Sequence, residues 1–324
     1  MDLIIQAFVL LVSVLVLAKS SHIVIHNAVS LARFTRLDEL VIGFLIISVT
    51  TSLPELAVSI SSVLKGNIGV SVGNLLGSNI TDICLIVGIV ALLKPMKVSK
   101  WTFRDLSAIL FLTSVVPIFL LFIKEAGQLI GVVLLALFVF FCGYSLKQNI
   151  VRRHRRHRKA NTSKIPHVDK VPILSTTAFL LAGIGGVVIS SSFAVDSALN
   201  VASIIGIAPT VIGAAVVAVG TSLPELSVNL AALRTKHYNL ALGDAIGACM
   251  TNASLNLGIV LLVAPVTVNM SVFSTLIFFL LLANLFMWYF LELRKLTHRE
   301  GLLLLIIYNI FLATTFEAQV VLFK

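Results

Sequence analysis

One stretch occurs twice in the sequence. Thr51-Ser52-Leu53-Pro54-Glu55-Leu56 returns 170 residues later as Thr221-Ser222-Leu223-Pro224-Glu225-Leu226, and each copy lies inside a long apolar run. A carboxylate in such a run is costly and marks a functional position. The proline beside it has no N–H for the carbonyl four residues back, which belongs to Thr50 in one copy and Gly220 in the other. A freed carbonyl, two hydroxyls and a carboxylate within six residues form a cluster of hard oxygen donors. Na⁺, Ca²⁺ and Mg²⁺ prefer such ligands. The two stretches are expected to face each other and hold a metal cation in mid-membrane.

The membrane reading rests on composition. Of the 324 residues, 58% are hydrophobic and only 12% are charged, whereas soluble domains carry about 25% charged residues. Ten apolar segments run near 3–32, 39–64, 69–93, 104–123, 126–146, 171–195, 208–233, 240–264, 270–291 and 301–322. Most approach the ~20 residues that a spanning helix needs. The expected fold is an all-α integral membrane protein of ten transmembrane helices.

The net charge of +10 does not point to nucleic acid, because nine of the 24 Lys and Arg fall between Lys147 and Lys170. That segment separates two sets of five apolar runs and reads as a cytoplasmic loop. It divides the chain into a first repeat over 1–146, the basic loop over 147–170 and a second repeat over 171–324. The loop suits anionic lipid headgroups, and His154 and His157 read as solvated members of it. With the N-terminus outside, the connections place twenty basic residues in the cytoplasm and three outside. Both termini are therefore expected to be extracellular. The N-terminus lacks a basic leader and reads as the start of the first span. Cys84, Cys142 and Cys249 all lie in apolar spans and suggest no disulfide framework.

The duplication extends well beyond six residues. At an offset of 170, residues 41–92 align without a gap to 211–262, and 19 of the 52 positions are identical. The matches include the Pro-Glu pair, four glycines and Thr81 with Thr251. Five spans per half is an odd number, so the second half enters the membrane from the opposite side. These are inverted-topology repeats, and a site is expected where they meet. In the following spans, Asp82 stands opposite Asn252 and Ser78 opposite Ala248. Ser78 with Asp82, and Thr51 with Glu55, are four apart and so share a helix face. Gly73, Gly77, Gly243 and Gly247 suit close helix packing. Asp244 falls on Asn74 and reads as a cap or a cation ligand, with the structural role favoured. Asn79 and Cys249 read as packing residues, and Trp101, Trp288 and Tyr289 as interface anchors.

The paired Thr-Ser-Leu-Pro-Glu cores and the Gly-Ser-Asn-Ile-Thr-Asp stretch ending at Asp82 resemble the cation/calcium exchanger superfamily. Within it, the chain resembles the prokaryotic sodium/calcium exchangers, over all ten spans. The resemblance implies a secondary antiporter exchanging Ca²⁺ for Na⁺ at a mid-membrane site, with no catalytic activity and no cofactor. It makes Glu55 and Glu225 the principal Ca²⁺ ligands, joined by carbonyls near Thr51 and Thr221, with Asp82 and Asn252 flanking the centre. Ser52, Ser78 and Ser222, with carbonyls near Ser48 and Ala218, would serve outlying Na⁺ positions.

Three departures stand out. Thr50 replaces the glycine kept at Gly220, Ala248 replaces a serine, and acid and amide at 82 and 252 are exchanged relative to an archaeal member.

Charge arithmetic is compatible with exchange. Three carboxylates in low dielectric need compensation, which either one Ca²⁺ with one further positive charge or three Na⁺ would provide. Asp82 is expected to carry a proton in part of the cycle. A Ca²⁺/H⁺ antiporter is the alternative, although those relatives show Gly-Asn-x-x-Glu in place of this core. A cation channel ranks below it, because three buried acids favour tight occupancy over conduction. A membrane metalloenzyme lacks its His-Glu-x-x-His signature. The oligomeric state is left open.

Overall fold

The computed structural model describes residues 3–32, 42–98, 100–121, 125–157, 173–234, 236–264, 266–267 and 270–322. Its helices are α1 (Leu3–Ala32), α2 (42–64), α3 (Ile68–Leu93), α4 (Lys100–Leu121) and α5 (Gln128–His157). The second half supplies α6 (Ile173–Ile205), α7 (Pro209–Arg234), α8 (Tyr238–Val263), α9 (Met270–Glu292) and α10 (His298–Leu322). Among the described residues, eight helices are long and apolar enough to cross a bilayer, and the bent α2 makes a ninth. The tenth is α4, whose apolar stretch Leu106–Phe119 is shorter. The ten expected spans thus match ten helices. One expectation changes at the centre of the chain: α5 continues through His157, so the first part of the basic segment is helical. The rest of that segment, 158–170, lies outside the described residues.

The inverted repeat is visible in small contacts that obey the 170-residue offset. Strand β1 (Met96–Lys97) pairs antiparallel with β4 (Lys295–Leu296), and β2 (Glu125–Ala126) pairs with β3 (Val266–Thr267). Replacing each residue of the Met96–Leu296 pair by its mate at the 170 offset gives Val266 and Ala126, which is the second pair. Gly88 packs on the Gly301 carbonyl, and their respective mates repeat the contact, Gly258 on the Gly131 carbonyl. Two side-chain contacts join a residue to its own mate: Asn79 with Cys249, and Ser114 with Asn284. A contact between mates can form only on the two-fold axis, so these pairs mark the axis.

Helices α3 and α8 lie deepest, with one face of each glycine-lined. A Cβ on Gly77 would sit 2.6 Å from the Ala214 Cα, and one on Gly247 would sit 2.8 Å from Ser48 Oγ. The backbones of α3 and α7, and of α8 and α2, meet there because nothing intervenes. Helices α1 and α6 pack together along their length, with Gly183 and Gly186 seated on Ser20 and Val24. Their outer faces, including Ile4, Phe8, Phe179 and Ile189, are exposed apolar surface suited to lipid.

Candidate cation site

Both Thr-Ser-Leu-Pro-Glu stretches interrupt their helices in the same way. Ser52 (φ −80°, ψ 6°) and Ser222 (φ −82°, ψ 5°) leave the helical region at the residue before Leu-Pro. The proline two residues on lacks the N–H that would continue the ladder. In α2 the two pieces diverge by 44°. This corrects one sequence expectation: Thr51 and Glu55 do not share the face of a continuous helix, because the break falls between them. The Thr51 hydroxyl lies 3.3 Å from Asp244 Oδ1, whereas Glu55 is reached by Ser222 Oγ at 3.4 Å.

The four central helices also carry widened π turns at Ile42–Ile47, Thr81–Ile86, Gly213–Val217 and Thr251–Asn256. Such turns add a residue to the circuit and cluster at functional sites. Two of them start at Thr81 and Thr251, so Asp82 and Asn252 sit where the helix widens. Their alignment with Ser78 and position 248 is therefore looser than ideal helical spacing predicts.

Glu55, Asp82, Glu225, Asn252, Thr51, Thr221, Ser52, Ser222, Ser78, Ser48 and Ala218 are all buried to within about 1% of full burial. Ser222 stands between Glu55 and Asp82, and the Ser78 hydroxyl lies 3.4 Å from that of Thr221. Glu225 lies within electrostatic reach of Glu55, Asp82 and Asp244. No basic side chain pairs with any of these four acids among the described residues. Both oxygens of Glu225, one each of Glu55 and Asp82, Ser52 Oγ and Asn252 Nδ2 have no hydrogen-bond partner. Buried polar atoms left this way cost about 1–3 kcal/mol each, more when charged, and all of these except Asn252 Nδ2 are oxygens of the kind that hard cations accept as ligands. Among the described residues no three acidic, histidine or cysteine side chains converge as a ready chelate. Hydroxyl, amide and carbonyl oxygens must complete any sphere. The carbonyls of Ser48 and Ala218 already accept from the backbone N–H of Ser52 and Ser222, at 3.0 Å each. They also lie 3.1 and 3.2 Å from the Thr51 and Thr221 hydroxyls.

The sequence reading favoured a structural role for Asp244 but did not identify the amides Asn74, Asn229 and Asn256, which form a supporting layer with it. Asn74 Nδ2 donates to the Glu55 carbonyl and to Ser59 Oγ, and its Oδ1 accepts from Thr221. In the other half Asn229 Nδ2 donates to the Glu225 carbonyl at 2.9 Å and to Asp244 Oδ2 at 2.6 Å. Positions 59 and 229, and 74 and 244, are mates at the 170 offset. An amide thus holds each glutamate carbonyl, from α3 in one half and from α7 in the other. Asn256 has no polar counterpart, since its mate is Ile86. It donates to the Ser52 carbonyl at 3.1 Å and to Asn252 Oδ1 at 2.8 Å. The repeat alignment held the signal in each case, as a polar residue facing a different residue in its mate.

Two inverted five-helix halves closing over a buried, oxygen-lined and acid-rich space define a membrane transport protein for a cation. Comparison with known proteins agrees. The model of the sodium/calcium exchanger protein family matches residues 5–147 and again 175–316, one match to each half. The chain belongs to that family and is a transporter, not an enzyme. It is 31% identical to the inner membrane protein YrbG of Escherichia coli over 263 residues, 79% of each chain. It is 28% identical to the sodium/calcium exchanger MaX1 of Methanosarcina acetivorans, over 95% of this chain and 97% of that one. Among solved structures, the sodium-calcium exchanger NCX_Mj superposes with a TM-score of 0.70 at 26% identity, covering 96% of this chain and 99% of the other.

Proposed function

We propose that the chain is a secondary active antiporter that exchanges Ca²⁺ for Na⁺ by alternating access at the site between its halves. The observation that carries this reading is the set of buried, unpartnered carboxylate oxygens on Glu55, Glu225 and Asp82, with no basic side chain facing them among the described residues. Glu55 and Glu225 act as the principal Ca²⁺ ligands, one from each half. Asp82 and Asn252 flank them, and carbonyls at Thr51 and Thr221 complete the sphere. Ser52, Ser78 and Ser222, with the carbonyls of Ser48 and Ala218, form lateral Na⁺ positions. Because those two carbonyls already face threonine hydroxyls, Na⁺ entry requires the hydroxyl protons to turn away.

Both termini face outward and the basic segment faces the cytoplasm, where it meets anionic headgroups. The twenty-to-three distribution of basic residues supports this orientation.

Uptake of ⁴⁵Ca²⁺ into proteoliposomes distinguishes the choices. An outward Na⁺ gradient is expected to drive accumulation and an outward H⁺ gradient is not. Accumulation on the H⁺ gradient alone would establish a Ca²⁺/H⁺ antiporter, and passive equilibration under neither gradient a channel.

A further inference from the structure

One ammonium fastens two helices together on one side of the molecule and has no counterpart on the other. Lys65, the residue after α2, directs Nζ at three acceptors on α6: Asp196 Oδ1 at 2.7 Å, and the carbonyl and hydroxyl oxygens of Ser192 at 3.0 Å each. An ammonium has three N–H donors, so α6 offers an acceptor to each. At the 170-residue offset the mate of Lys65 is Thr235, and those of Ser192 and Asp196 are His22 and His26. The second half therefore has neither the ammonium nor the carboxylate at these positions.

Burial differs in the same place. Ala57, Val58, Ser61 and Lys65 share a face of α2 by helical spacing. Val58 is fully buried in an apolar cluster built mostly from α1 and α6, and Ala57 packs against that cluster. On α7 the mate of Ala57, Ser227, is exposed, and that of Val58, Val228, is only partly buried. Val58 and Val228 are the same side chain at mated positions, so arrangement and not residue type makes the difference. Among the described residues α6 also packs more extensively along 53–64 than α1 does along 223–234.

We propose that Lys65 and α6 form a lock that holds the α2–α6 seam shut on the outer face, while the mated α7–α1 seam stands open toward the cytoplasm. This rests on the antiporter reading and its orientation, in which α2 ends outside. Inverted halves that alternate exchange their arrangements, so the closed seam parts as its mate closes. The helix piece Leu53–Leu64 has Glu55 near one end and Lys65 just past the other, so parting that seam frees the piece that carries Glu55. A contact made in one arrangement only shifts the population toward that arrangement. Asp196 is 57% exposed, and a solvated ion pair of this kind shifts such a population by about fivefold at most. The lock therefore sets a resting side and still breaks in every cycle.

The test uses the full-length protein in proteoliposomes, with Cys84, Cys142 and Cys249 replaced by alanine and one reporter cysteine at either of the mated valines. A membrane-impermeant maleimide is added from one face at a time. Val58→Cys is expected to resist labelling from outside, and Val228→Cys to react from the cytoplasmic side. Lys65→Gln should raise the first rate by about fivefold and lower the second. Asp196→Asn breaks the pair from the other helix at an exposed position. It should do the same, which keeps the test valid if Lys65→Gln folds poorly. The reversed pair, Lys65→Asp with Asp196→Lys, should return both rates most of the way to those of the parent, as loss of a merely structural contact would not. Unchanged rates in both single variants overturn the lock. A rise in labelling at both valines also overturns it, because the seams would then have loosened without exchange. Na⁺-driven ⁴⁵Ca²⁺ uptake by the cysteine-free parent keeps the two readings apart. Absence of that uptake removes the antiporter reading and the lock with it, whereas uptake alongside unchanged labelling removes the lock alone.

Discussion

Glu225 is buried, has neither carboxylate oxygen paired, and lies near three other acids. A glutamine there keeps the volume and removes an uncompensated charge, so Glu225→Gln should fold at least as well as the wild type. It should nevertheless lose Ca²⁺ binding by about 3 kcal/mol or more, over a hundredfold, because one anionic partner of a desolvated divalent ion is gone. Glu55→Gln is expected to behave alike. Thermal unfolding with and without Ca²⁺ separates the effects: added Ca²⁺ should raise the wild-type midpoint and leave the variants' unmoved. A Ca²⁺-dependent rise in either variant would remove that glutamate from the site. These two residues were legible in the sequence because an acid inside an apolar run has few innocent explanations. Asn256, Asn229 and Asn74 were not, since an uncharged amide in a transmembrane helix is unremarkable until its partner is seen.

At the scale of the helix, what could be read depended on whether the feature has a residue signature. The breaks at Ser52 and Ser222 were foreshadowed by Pro54 and Pro224. The four π turns were not, because widening a helix by one residue requires no particular side chain. The turns after α2 and α7 show the same limit. Gly66 (φ 74°) and its mate Lys236 (φ 65°) adopt the same left-handed conformation, and each precedes a residue whose N–H closes on the helix end, Asn67 on Ser62 and His237 on Ala232, both at 2.8 Å. Glycine announces such a turn and lysine hides it. Lys236→Gly should relieve the side-chain strain of about 1 kcal/mol, offset in part by added chain entropy. The expected net is a small rise in thermal midpoint, and a fall would refute the strain assignment. Packing gives a larger effect. Gly77→Ala would press a methyl onto the Ala214 backbone at 2.6 Å and should cost about 1–3 kcal/mol. It should also weaken Ca²⁺ binding, because Ser78 would shift against Thr221. Gly143→Ala, on the exposed side of α5 with no atom within 4 Å of the added carbon, is the control and should stabilise by about 0.5–1 kcal/mol. Equal effects from the two would mean that helix propensity, not the α3–α7 contact, decides the outcome.

At the scale of the molecule, the approximate two-fold axis makes the two halves comparable residue by residue. The offset of 170 found over 41–92 holds out to the β1–β4 and β2–β3 pairs and the Gly88–Gly301 and Gly258–Gly131 contacts. Where the halves differ, symmetry supplies a test. Asp82 and Asn252 are mates of unlike charge, and from sequence alone exchanging them should restore behaviour that either single change disturbs. The structure shows why this exchange is incomplete. Asn252 Oδ1 is held by Asn256 at 2.8 Å, and Asn256 also caps the Ser52 carbonyl, whereas the mate of Asn256 is Ile86, which can do neither. In Asp82→Asn with Asn252→Asp, the new amide at 82 would lack the amide donor that orients residue 252 and keep only the Ser222 hydroxyl it shares with Glu55, while the new acid at 252 would accept from Asn256. We expect this double variant to recover only part of the Ca²⁺ flux lost in Asp82→Asn. Adding Ile86→Asn and Asn256→Ile moves the orienting amide to the same half as the amide it serves, and the fourfold variant should recover more than the double. ⁴⁵Ca²⁺ flux in proteoliposomes, normalised to the amount of folded protein, makes the comparison. If the fourfold variant transports no better than the double, the orientation of residue 252 by Asn256 does not govern the site, and the difference between the halves must lie with Asp244 and Ala248.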